Sequence, residues 1–154
     1  MIEFKSGDVF ASKAQVLVNT VNCCGVMGAG IAKEYRKRFP KMYRAYRKAC
    51  RSGEIAIGHP QLWKSDDQWI LNFPTKLHFI QNSDLAHIRA GLEWLILNYR
   101  DLGIKTIALP PLGAGLGKLD WKAVRQLIIE KLVDLEDLYV EVWESPEASQ
   151  IPRV

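Results

Sequence analysis

The sequence predicts a layered α/β domain, and three observations carry that prediction. Strand-like and helix-like patterns alternate along all 154 residues, which favours α/β layering over a bundle or a sandwich. The run "IALP", Ile107 to Pro110, is apolar on consecutive positions, as in a strand covered on both faces. Twice an apolar run passes into a glycine-rich turn that opens a helix, at Val18–Ala32 and again at Leu109–Trp121.

Each element follows from local pattern. Strands are expected at Ile2–Lys5, Val16–Asn19, Gln61–Lys64, Trp69–Phe73, Thr106–Leu109 and Leu138–Trp143. The last of these alternates ("YVEVW"), which suits a position nearer a sheet edge. Between Ser83 and Asp101, Leu85, Ile88, Leu92, Leu95, Ile96 and Tyr99 recur at three- and four-residue steps, and Gly103 closes that helix. A further helix starts at Asp120, a good N-cap, with Val124, Leu127, Ile128 and Leu132 as its apolar stripe. Pro40 divides the basic region into two helices and can open the second. The length fits one domain over residues 1–145, with 146–154 as a loose C-terminal tail.

Bulk composition narrows the class. The chain is 48% hydrophobic and 25% charged, and no run approaches the ~20 apolar residues of a membrane span. The first residues are strand-like rather than signal-like. Three cysteines, Cys23, Cys24 and Cys50, are an odd number without metal spacing, so reduced thiols and a cytoplasmic setting are expected. The net charge of +4 hides an asymmetry. Nine Lys/Arg stand between Lys33 and Arg51 against a single acid, Glu34, leaving twelve basic and sixteen acidic residues elsewhere. Such a segment is either a polyanion footprint or a solvated helix face. The interleaved Tyr35, Phe39, Tyr43 and Tyr46 could stack on bases or anchor the helices.

The two glycine-rich turns carry the candidate chemistry. Bare backbone N–H groups at a helix N-terminus favour phosphate. The dinucleotide fingerprint is excluded because Met27 stands where its second glycine belongs, and no G-K-[ST] of a P-loop is present. Two such turns at strand C-termini would meet over the sheet edge and could hold a diphosphate between them; ordinary tight connectors are the alternative. Asn22, at the lip of the first turn, suits sugar hydroxyls or caps its own turn. Asp8 in "SGDVF" either accepts from an exocyclic amine or simply forms a turn after Gly7. Lys76 in "NFPTKLH" follows an apolar strand and a proline, so it projects from a strand end on the side of the glycine turns. A desolvated lysine can attack a carbonyl carbon as a neutral amine, whereas most loop lysines are solvated. His78 offers an acid/base or a phosphate contact, and a surface histidine is the alternative. Neither a Ser/His/Asp order nor a metal cluster is evident.

"SGDVF", "VNTVNCCGVMGAGIA", "SGEIAIG", "NFPTK" and "LPPLGAGLGKLDW", in that order, resemble a macrodomain. More narrowly they are similar to the branch holding the terminal ADP-ribose glycohydrolases and the DarG antitoxins, which remove ADP-ribose from DNA. The resemblance spans Ile2 to Trp143. It implies a three-layer α/β/α sandwich with a mixed six-stranded sheet, binding ADP-ribose without a metal or cofactor. Asp8 would hold the adenine amine beside the Val9 backbone, and Asn22 would contact the distal ribose. Asn19, Gly25, Met27, Gly28, Ala29 and Gly30, with Leu112, Gly113, Ala114, Gly115 and Leu116, would enclose the ligand. Lys76 matches the catalytic lysine, which attacks the anomeric carbon of the distal ribose through a ring-opened Schiff base. Protein-directed members carry an aspartate where this chain has Gly117, so His78 or a water would assist proton transfer. The implied substrate is ADP-ribosylated single-stranded DNA, the partner an ADP-ribosyltransferase toxin, and the state a monomer. A protein-directed glycohydrolase, a non-catalytic ADP-ribose reader and an ADP-ribose 1''-phosphate phosphatase are the competing readings.

Overall fold

The computed structural model describes residues 1–115 and 117–145. Its strands are β1 (Ile2–Ser6), β2 (Val16–Asn22), β3 (Gln61–Trp63), β4 (Trp69–Lys76), β5 (Thr106–Leu109) and β6 (Tyr139–Glu144). Its helices are α1 (Gly30–Arg38), α2 (Pro40–Ser52), α3 (Leu85–Asn98) and α4 (Trp121–Leu132). A 3-10 turn at Val9–Ala11, which no sequence pattern announces, follows β1. The tail expected at 146–154 lies outside the described residues.

One six-stranded sheet runs in the order β1-β6-β5-β2-β4-β3. Every neighbouring pair is parallel except β3 with β4. The sheet is therefore mixed, with its antiparallel strand at an edge. Two cores lie on its opposite faces. Val18, Leu71, Phe73, Ile107 and Val140 pack with Ile88, Leu92 and Leu95 of α3 and with Val124 and Ile128 of α4. Leu17, Val21, Ile70 and Ala108 pack with Tyr35 of α1 and with Met42, Tyr46 and Ala49 of α2. These are the three expected layers, and the continuous burial of β2 and β4 follows from helices covering both faces.

Helix boundaries have local causes. Asp84 caps α3 by accepting from the Ala86 N–H, and Asp120 caps α4 by accepting from the Lys122 N–H. Pro40 takes the first turn of α2, where a missing N–H costs nothing. By contrast α1 begins after Ala29 with no side-chain cap, so its first N–H groups keep their hydrogen-bonding capacity. No helix among the described residues is long and apolar enough to cross a membrane.

Candidate active site

Strand β2 ends the first wall of the site. Its last residue, Asn22, is 5% exposed and serves the turn that follows. The Asn22 side-chain N–H donates to the Val26 carbonyl at 2.8 Å, and its amide oxygen accepts from the Cys24 N–H at 3.1 Å. The Tyr46 hydroxyl lies 2.8 Å from both that oxygen and the Asn22 backbone carbonyl. Asn22 thus organises its own turn, and it also lines the cleft, so the two roles open to it in sequence are compatible in the structure. Burial pushes the Tyr46 hydroxyl well above its ordinary range. Burial, with the neighbouring Cys50 and Cys24, pushes the Cys23 thiol up to about 11, and Cys50 also moves up through burial. The two thiols stay protonated at neutral pH and form no nucleophile there.

The second wall comes from β4, and a proline decides its geometry. Asn19 to Val21 of β2 sit beside Asn72 to Pro74, but Asn22 pairs with Lys76, so Thr75 is an extra residue in the ladder. Pro74 has no N–H to donate, which is why an interior strand tolerates it only beside such a bulge. A bulge also re-aims the next side chain. Lys76 therefore stands half-buried at the strand end, beside Asn22. The Cys23 N–H donates to the Leu77 carbonyl at 3.2 Å, which ties the two walls together.

The third wall is the turn after β5. Gly113 adopts a φ of +70°, and a Cβ placed on it would come within 2.8 Å of Leu119. A Cβ on Gly117 would lie 2.2 Å from the Ser83 hydroxyl and 2.5 Å from the Gly113 carbonyl. The Ser83 N–H meanwhile donates to the Gly117 carbonyl at 3.0 Å. Position 117 thus has room for glycine alone in this arrangement, which is the physical counterpart of the missing aspartate.

The three walls enclose a cleft of about 850 Å³ at the C-terminal ends of β2, β4 and β5. That size suits a nucleotide-class ligand, and the place is where open α/β sheets bind them. Asn22, Gly28, Ala29, Gly30, Lys76, Gly113 and Gly115 line it. Its charged lining residues are Lys76 and Lys118, with no carboxylate among the described ones. Two cations and the uncapped start of α1 make it a site for an anion.

Other expected residues sit elsewhere, each for a physical reason. Asn19 is fully buried, donating to the Asn72 side-chain oxygen at 3.1 Å, and Met27 is fully buried in the α1/α2 core. Leu112 is fully buried in the opposite core, where Ala114 packs against it. Gly25 adopts a φ of +86° and turns the loop beneath Arg47 and Cys50 rather than facing the cleft. Asp8 caps the 3-10 turn by accepting from the Phe10 N–H at 2.9 Å, and Val9 is buried beneath it. Neither Asp8 nor Val9 is among the cleft's lining residues. Nor is His78, whose Nδ1 accepts from the Ile80 N–H at 3.3 Å and whose ring stacks on Phe79. Leu116 lies outside the described residues. No group of three or more His, Cys, Asp or Glu placed to hold a metal ion occurs among the described residues.

Sequence reasoning missed Thr20, Phe79, Ile80, Ser83 and Lys118, all of which line the cleft. A signal existed only for Lys118, which directly follows the second glycine run.

Comparison with known proteins identifies the fold. The Macro domain family matches residues 18–128. The chain is 45% identical over 147 residues to the DNA ADP-ribosyl glycohydrolase of Mycobacterium tuberculosis, covering 93% of this chain and 42% of that protein. It thus spans less than half the length of this curated relative. The macrodomain of Mycobacterium tuberculosis DarG superposes with a TM-score of 0.89 at 44% identity, covering 93% of this chain and 97% of that one. A structure of Thermosipho africanus DarTG in complex with ADP-ribose matches with a TM-score of 0.87 at 36% identity, over 96% of this chain and 41% of that one. With its cleft at the strand ends and the family match over most of its length, this chain belongs to the Macro domain family.

Proposed function

We propose that this domain is a hydrolase that removes ADP-ribose from nucleobases in single-stranded DNA, with Lys76 as nucleophile. The observation that carries the reading is the half-buried Lys76 in a cleft with no carboxylate among its described lining residues, in a chain 45% identical to a DNA ADP-ribosyl glycohydrolase. The diphosphate lies against the uncapped first turn of α1, at Gly28 to Gly30, with the second glycine turn closing over it. That grip brings the anomeric carbon of the distal ribose to Lys76.

The Lys76 amine bonds to that carbon through its nitrogen lone pair as the carbon–nitrogen bond to the base breaks. The ring opens, a Schiff base forms, and the proton shed by the attacking nitrogen balances the one the departing base takes up. Water then adds to the imine carbon, and the carbon–nitrogen bond to Lys76 breaks. ADP-ribose leaves and the amine is restored. No described carboxylate lines the cleft, so proton transfer runs through water or the amine itself. The biological setting is an antitoxin opposing a DNA ADP-ribosyltransferase in the cytoplasm.

The test is a gel assay with ADP-ribosylated single-stranded DNA beside an ADP-ribosylated protein. Lys76→Ala should lower release from DNA by on the order of a thousandfold while calorimetry still detects ADP-ribose binding. Full turnover by that variant removes the nucleophile. Tight ADP-ribose binding by the wild-type protein without any release makes it a reader. Liberation of inorganic phosphate from ADP-ribose 1''-phosphate instead of ADP-ribose from DNA makes it a phosphatase.

A further inference from the structure

The mouth of the cleft is apolar where the ligand inside is charged. Phe79 is 48% exposed and Ile80 78%, and both line the cleft together with Val26 of the first glycine turn. Exposed apolar side chains scattered singly need no explanation, but three gathered at one cleft mouth mark a contact surface. The Phe79 ring is held rather than free, with the His78 ring 4.3 Å away. The turn carrying both is fixed by the Gln81 N–H donating to the His78 carbonyl and by Gln81 Oε1 accepting from the His78 N–H.

A positively charged face adjoins this rim. Of the nine basic residues between Lys33 and Arg51, Arg38 pairs with Glu34; the other eight form no ion pair among the described residues. Arg36 and Arg47 flank the Tyr43 ring at 5.5 Å and 5.7 Å. The Tyr43 hydroxyl donates to the Gly25 carbonyl, and the Arg47 stem lies against Gly25. The outer side of the first glycine turn thus carries the cations, and its inner side, through Val26 and Gly28, lines the cleft. Buried Met42, Tyr46 and Ala49 anchor α2, so its basic positions are left for solvent or a partner.

We propose that these two surfaces form one track for a single nucleic-acid strand across the cleft mouth. Its phosphates run over Arg36 and Arg47, and a base neighbouring the modified one stacks on Phe79. The inference takes DNA as the substrate from the reading above and adds where the unmodified part of the strand lies. A duplex fits poorly, because its bases are stacked on one another and not on offer to an aromatic ring. A protein substrate would need neither a stacking ring nor an uncompensated cationic face.

The test uses the whole chain and a labelled, unmodified oligothymidylate, followed by anisotropy over a range of salt. Phe79→Ala should weaken single-strand binding about tenfold, and Phe79→Trp should restore it. The pair Arg36→Glu and Arg47→Glu should weaken binding and flatten the log–log salt slope by about 1.4, because two phosphates are no longer neutralised at ~0.7 each. The matching duplex should bind more weakly and ignore Phe79. With modified substrates, kcat/KM for an oligonucleotide should fall about tenfold relative to that for a modified mononucleotide in each variant. Single-strand affinity unchanged within about twofold in both sets of variants overturns the track even where ADP-ribose is released. The absence of salt-dependent binding by the wild-type chain overturns it as well. If the binding results hold but no ADP-ribose is released from DNA, the hydrolase reading falls and the track stands.

Discussion

The two glycine-rich turns look alike in sequence, yet the molecule holds them by different means. The first, after β2, is held by hydrogen bonds from side chains. Asn22 bonds across it, Tyr46 reaches in from α2, and Tyr43 bonds to Gly25. The second, after β5, is held by close approach. Gly113 and Gly117 fold around Ser83 and Leu119 at distances a Cβ would not allow, and backbone bonds complete it. One glycine run is a turn pinned by polar groups, and the other is a space only glycine fits. The same letters therefore predict opposite sensitivities: the first turn should fail when a neighbour loses a polar group, the second when the turn itself gains a carbon.

Asn22→Ala breaks the first turn most severely. It removes the side-chain bonds to Val26, Cys24 and Tyr46, and leaves the Val26 carbonyl and the Cys24 N–H without that partner, while the Tyr46 hydroxyl keeps the Asn22 backbone carbonyl. The expected loss is about 3 kcal/mol in the free energy of unfolding, the upper range for buried polar groups left unsatisfied. Chemical denaturation with and without ADP-ribose checks it. An equal loss in both, with little change in affinity, would mean that the turn re-forms without its pin. Gly117→Ala is the matching insult to the second turn. Overlap with the Gly113 carbonyl cannot be relieved by a rotamer change, so a loss of about 2 kcal/mol is expected. ADP-ribose affinity should fall with it, because Gly113 and Gly115 line the cleft. A Gly117→Ala protein as stable as the wild type would show that the second turn has slack, and the contrast would disappear.

How far the sequence revealed this site depends on the kind of contact. The six strands and four helices were legible because burial imposes a period, as in the Leu85-to-Tyr99 spacing and in the Asp84 and Asp120 caps. Lys76 was legible as a strand-end residue. The bulge at Thr75 that sets it beside Asn22 was foreshadowed only by Pro74. Asn19 and Met27 share the first turn's sequence but point to the core, a distinction that depends on β2 being covered on both faces. Phe79 and Ser83 were silent, since neither a lone aromatic in a loop nor a lone serine has a periodic signature. The close approach of Gly117 to Ser83 joins residues far apart in sequence, and no local pattern encodes it.

The smallest expected effect separates the two turns by pH alone. Burial, with Cys50 and Cys24 nearby, raises the Cys23 thiol at the first turn to about 11, while an unfolded cysteine titrates near 8.5. A group raised in the fold keeps its full contribution below the unfolded value. Above about 8.5 the unfolded chain loses its proton first, and the folded state is progressively disfavoured until the folded thiol also ionises near 11. Because Cys23 is only partly buried, solvent screening holds the loss to about 1 kcal/mol across that window. Hydrogen exchange should show the amides of Cys24 and Val26 losing protection between about pH 9 and 11 beyond the intrinsic rise in exchange rate. The Leu119 amide, which donates to the Gly113 carbonyl in the second turn, should show no such excess. Cys23→Ala should remove most of the excess. If both turns loosen together, or if the Cys23→Ala chain loosens as the wild type does, the thiol is not what couples the first turn to pH.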